Sequence, residues 1–186
     1  MATRVSLACG SHHVPGGPSE GKRPYEAVAD VTADHLALRP DGALLVADGR
    51  AADLPAGRVT RLDLVQGDQI GALAFTADGS LLAAGDGTGR VALWARHLTR
   101  REGVLRNVFP APLGADPEGV SALAFSPDGG TLAVAGTAGG LQLWDVATQQ
   151  PLGSPLTTPG EEIDTLAFDA DGSTLYAGGR RGAEPG

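Results

Sequence analysis

The chain has 186 residues and a formal net charge of -8, which excludes the concentrated basic face that phosphate-backbone binding requires. Its 42% hydrophobic and 19% charged content is that of a globular protein with one sizeable core. The single cysteine, Cys9, excludes an intramolecular disulfide framework, and no apolar run approaches the ~20 residues of a membrane span.

Residues 1–28 read as a flexible arm rich in Gly, Pro and Ser around Gly10 to Pro24. Val5 to Cys9 is too short for the roughly 7–15 apolar residues of a signal-peptide core, so the expected location is cytoplasmic. Gly16 to Lys22 spells the GxxxxGK string of a phosphate loop. It lacks the preceding strand and following helix, and Arg23 stands where Ser or Thr would bind magnesium. Cys9, His12 and His13 supply three ligand-type side chains without a fourth or a scaffold to fix tetrahedral geometry.

From residue 29 onward the chain repeats itself. Leu123-Ala124-Phe125-Ser126-Pro127-Asp128-Gly129 is echoed by Leu73 to Gly79 and by Leu166 to Gly172, and more weakly by Leu36 to Gly42. Each copy is an apolar strand running into a tight turn, with Asp and Gly supplying the turn chemistry. Three residues past each turn glycine stands a leucine: Leu45, Leu82, Leu132 and Leu175. Further alternating apolar residues lead to Trp94 and Trp144. The unit is therefore three short strands joined by two turns, with room for a fourth. The copies run near 31–69, 70–118, 120–162 and 163–186, the last incomplete.

The phrases LAFSPDG, LAVAG and LQLWD resemble WD40 repeats, each of which is one four-stranded blade of a β-propeller. The resemblance covers roughly Val31 to Gly179 and implies an all-β propeller segment of about three and a half antiparallel blades. Phe75, Phe125, Phe168, Trp94 and Trp144 are then expected to be mostly buried. In the first copy the Trp place is expected at Leu62, after an insertion around Ala51 to Ala56. The copies also depart from the family pattern. No Gly-His pair precedes any of them, the serine positions hold Ala84 and Val134, and the aspartate positions hold Thr88 and Ala138. The polar network of such blades is therefore expected to be absent, leaving each Trp N–H in need of another acceptor.

An incomplete last copy leaves an exposed strand edge, which invites self-association. Either Thr3 to Ala8 and Tyr25 to Val31 supply closing strands, or the chain is a fragment of a longer propeller, the reading favoured by the Gly/Pro-rich arm. Arg96, His97, Arg100, Arg101 and Arg106 follow Trp94 in what reads as a long, solvated connection, or else a docking site for an acidic partner. Asp169, Asp171 and Ser173 resemble the start of a calcium loop but occupy the hairpin turn of every other copy. Gly85 to Gly89 is followed by a strand rather than a phosphate-binding helix.

No catalytic set, cofactor site or metal site emerges, and the inner positions of the blades read as small and apolar. The resemblance implies a non-enzymatic scaffold that binds a protein or peptide partner, with neither nucleic acid nor membrane as partner. The alternatives are the sensor part of a larger bacterial signalling protein carrying a kinase or nucleotide switch, and a propeller-type hydrolase with metal ligands around its channel. In WD40-like blades the segments entering each first strand lie on the usual partner face. Those positions match Gln69, Glu118, Glu161, Glu162 and Asp164, an acidic set suited to a basic or polar peptide.

Overall fold

Four copies of one turn set the architecture. The computed structural model describes residues 4–6, 30–61, 69–95, 98, 101–105, 118–157 and 161–181. In each copy a glycine at positive φ closes the turn: Gly42, Gly79, Gly129 and Gly172, at 70°, 68°, 73° and 76°. The third copy shows the pattern. Gly129 N donates to Ser126 O, the Ser126 hydroxyl donates to the Asp128 carboxylate at 2.6 Å, and Thr131 N donates back to Ser126 Oγ at 2.9 Å. Thr76 and Asp78 repeat the arrangement in the second copy.

Among the described residues every element is a strand. β1 (Arg4–Ser6) pairs with β2 (Asp30–Thr32) in a small sheet of its own, not with the last blade. β3 (Leu36–Leu38), β4 (Leu44–Ala47), β5 (Arg50–Asp53) and β6 (Arg58–Arg61) form blade 1. β7 (Ile70–Phe75), β8 (Leu81–Asp86), β9 (Val91–Ala95) and β10 (Arg101–Leu105) form blade 2. β11 (Val120–Phe125), β12 (Thr131–Gly136), β13 (Gly140–Asp145) and β14 (Gln150–Thr157) form blade 3. β15 (Glu161–Phe168) and β16 (Leu175–Arg181) form a two-stranded fourth unit. All pairings are antiparallel meanders, so the chain is an all-β propeller segment of three full blades and a half.

The blades stack face to face, which buries the second strands on both sides. Leu82 and Ala84 pack towards blade 1 with Val46 and Ala51, while Ala83 joins the cluster shared with blade 3. Leu132 and Val134 enter that same cluster from blade 3, and Ala135 meets Ile163 of the fourth unit. In β12 the face towards the preceding blade carries Leu132 and Val134, whereas Ala135 faces the following one. That alternation of large and small is what lets neighbouring sheets approach closely.

The aromatic expectation holds fully for Trp144, which is buried. Trp94, Phe75, Phe125 and Phe168 are only half-buried. The indole N–H of Trp144 has no hydrogen-bond partner among the described residues.

Two further expectations are corrected. Trp94 and Trp144 stand opposite Leu82 and Leu132, and the residue opposite Leu45 in blade 1 is Ala52. There is no insertion before it. Asp48 and Gly49, both at positive φ, make a two-residue hairpin that shortens the copy; Leu62 lies outside the described residues. The stretch after Trp94 is not wholly a loop either. Arg101 opens β10, the fourth strand of blade 2, and pairs with Trp94; Arg96, His97, Arg100 and Arg106 lie outside the described residues.

The turn carboxylates make stability acid-sensitive. The Thr76 hydroxyl, followed by the N–H and hydroxyl of Ser80, holds Asp78 at about 2, against an ordinary 3.8. Asp128, Asp145 and Asp169 are lowered by the same kind of bonds, chiefly from the Ser126 hydroxyl, the Thr148 N–H and the Thr174 N–H. A carboxylate depressed in the folded state stabilises fully above its unfolded value and ceases to do so as pH falls through its folded one. For Asp78 the urea midpoint is therefore expected to fall between about pH 4 and pH 2. The Asp78→Asn variant should show a shallower decline over that window. Parallel curves for the two proteins would contradict this assignment.

Candidate functional site

The first strands β3, β7, β11 and β15 stand side by side along the inner edge of the blades and enclose an open cavity of about 320 Å³. Register makes its walls periodic. Leu36, Leu73, Leu123 and Leu166 pair with Ala47, Ala84, Val134 and Ala177, so they hold one position in four copies. These leucines line the cavity wall. One residue earlier come His35, Ala72, Ala122 and Thr165, and one earlier again Asp34, Gly71, Ser121 and Asp164. The mouth at the strand starts is therefore polar and acidic, and the reading of the inner positions as uniformly small and apolar is corrected. In three of the copies the mouth residue sits at a β-bulge, where a strand adds one residue and turns its side chain aside.

Neighbouring blades touch at this bulge. The Ser121 hydroxyl donates to Ile163 O at 2.7 Å. At Gly71 the carbonyl of Val120 comes so close that a Cβ would overlap it.

Of the five residues expected on the partner face, Asp164 alone lines the cavity. Its carboxylate is held by Arg180, with Nε at 2.9 Å and the second contact at 3.4 Å, and Arg180 also reaches Glu162 at 3.7 Å. Those two carboxylates, hydrogen-bonded or facing it through space, raise the Arg180 pKa above its ordinary value. Gln69 is exposed, and its carbonyl accepts from Gly87 N. Glu161 lies in β15 opposite Arg181; its side chain lies outside the described residues. Asp34 was not singled out by sequence and His35 reads there only as an isolated histidine beside a strand, because nothing in the weak first copy marks them as inner positions. Asp48 fixes both by accepting their backbone N–H groups at 2.7 and 3.1 Å.

Glu118 has a different task. Its Oε1 accepts from Ala138 N at 2.8 Å and Gly140 N at 3.1 Å, pinning the turn between β12 and β13. In blade 2 the same two backbone positions, Thr88 N and Arg90 N, donate to Asp86 at 2.9 and 3.1 Å. Where blade 2 has Asp86, blade 3 has Gly136, and the Glu118 side chain fills the space a Cβ there would occupy. Carboxylates thus close this turn in both blades, at Asp86 and Glu118, but they do not reach the Trp144 N–H, which has no acceptor among the described residues. Asp169 and Asp171 accept backbone N–H groups of their own turn. Among the described residues no three His, Cys, Asp or Glu side chains gather closely enough to hold a metal ion.

The WD domain, G-beta repeat family profile (WD40) matches residues 61–95 and 106–145. The two matches end with the third strands of blades 2 and 3, β9 and β13. These two stretches are similar to WD40 repeats. WD40 repeats generally mediate protein–protein interaction. No curated protein matches the chain.

Proposed function

We propose that this chain is a non-catalytic scaffold that receives a basic peptide segment of a protein partner at the acid-lined axial mouth. The observation that carries this reading is the recurrence of one inner position in four copies, which converges Asp34, Ser121 and Asp164 on a single opening. Among the described residues, the carboxylates of Asp34, Asp48, Glu162 and Asp164 lie at or beside the opening, against the guanidinium of Arg180. Among the described residues no lysine or arginine lines the cavity itself. A cationic side chain entering from solvent would gain these carboxylates at the mouth and the leucine ring for its aliphatic stem.

The test is retention of the chain on immobilised decapeptides of graded charge. Basic peptides should retain it, with affinity falling as salt is raised beyond a Debye length of about 8–10 Å. The Asp34→Asn, Asp164→Asn double variant should weaken retention by about tenfold. Equal retention on acidic and basic peptides, or an unaffected double variant, would remove the axial mouth from consideration.

A further inference from the structure

The axial mouth already holds a cation of its own. Arg180 reaches from β16 to Asp164, donating from Nε at 2.9 Å and from Nη2 at 3.4 Å, and its Nη2 lies 3.7 Å from Glu162. Ile70, Val120 and Ile163 pair with Asp86, Gly136 and Gly179, so the residues that follow, Gly87, Thr137 and Arg180, hold one place in three copies. Of these only Arg180 is charged. On the first strands the mouth places are Asp34, Gly71, Ser121 and Asp164, acidic in the first and fourth copies alone. The copy that supplies the second acid therefore also supplies its counter-ion.

The carboxylates of the mouth are consequently unequal. Asp164 and Glu162 face the guanidinium, and Asp48 accepts the backbone N–H groups of Asp34 and His35. Among the described residues the Asp34 carboxylate has neither a hydrogen bond nor an ion pair. The Arg180 and Asp164 side chains are 75% and 38% exposed, and a pair so open to solvent is weak enough to exchange partners. We propose, resting on the reading of this mouth as a receptor for a basic peptide, that Arg180 takes the place of a second ligand cation. The native mouth then reads a single lysine or arginine, seated at Asp34, and gains little from another. A second cation reaches Asp164 only by expelling Arg180, with one ion pair lost for one made. Removing the guanidinium opens Asp164 and Glu162 and turns the mouth into a receptor for paired cations. Arg180 thus sets specificity without touching the first cation.

The probes are immobilised glycine–serine decapeptides carrying one lysine, or one lysine and a second placed two, three or four residues on, with dissociation constants measured for the full chain at low salt. Wild type should bind each two-lysine peptide within about twofold of the one-lysine peptide. Arg180→Gln should bind the best two-lysine peptide about fivefold more tightly than wild type does, and the one-lysine peptide within about twofold. Arg180→Lys keeps the charge and should behave as wild type. A wild-type chain that prefers any two-lysine peptide by about fivefold or more would overturn the proposal, and that comparison needs no variant. So would a folded Arg180→Gln chain whose ratio of the two constants matches wild type. If neither chain binds any lysine peptide, or both bind acidic peptides equally well, the mouth is not the receptor and both readings fall, an outcome distinct from lysine binding that ignores Arg180.

Discussion

Trp144→Ala is expected to lower the unfolding free energy by about 3–5 kcal/mol, a large share of the roughly 5–15 kcal/mol that holds a typical domain folded. Trp144 is 7% exposed and belongs to the cluster that joins blades 2 and 3, with Leu105, Val120, Leu132 and Val134. That cluster is the largest among the described residues, and apart from Trp144 its buried members are Leu, Val and Ala. Trp144→Phe should behave differently, staying within about 1 kcal/mol of wild type, because it keeps most of the ring and discards a buried N–H with no acceptor among the described residues. Urea denaturation of both variants decides the matter. If Phe proves as damaging as Ala, the indole N–H is bonded after all.

Gly71→Ala is the second large effect, expected at about 1–3 kcal/mol or more through overpacking. Its new methyl would lie on the carbonyl of Val120, a backbone atom that cannot swing aside as a side chain could. Blades 2 and 3 would have to separate at their inner edge. The same place in blade 3, Ser121, serves as the control: Ser121→Ala loses one hydrogen bond to Ile163 O and should cost only about 1 kcal/mol. Thermal melts that rank Ser121→Ala as the more harmful change would contradict the close approach seen at Gly71.

What the sequence disclosed follows from which interactions are local. The LAFSPDG copies place a strand, a turn and a second strand within a dozen residues, and every such hairpin is found. Long-range substitutions were illegible. An aspartate was sought at Thr88 and Ala138, but the turn needs only a carboxylate near two backbone N–H groups. Asp86 and Glu118 meet that need from other positions. The shortened blade 1 escaped notice for a related reason. Asp48-Gly49 is itself a strong two-residue hairpin signal, but expecting a fixed distance to the Trp place put an insertion where the chain turns at once. The acidic mouth arises because Asp34 and His35 precede the weakest copy, and only strand register aligns them with Ser121 and Asp164.

The carboxylate of Glu118 also fixes where one repeat stops and the next begins. Although it precedes β11, its bonds serve the turn between β12 and β13, in the same blade. A blade excised or grafted from Val120 onward would carry a turn stripped of its acceptor, with two amide donors turned towards an empty space beside Gly136. The portable module of this array starts at Glu118, and recombination that respects that phase keeps each turn with the acid that closes it.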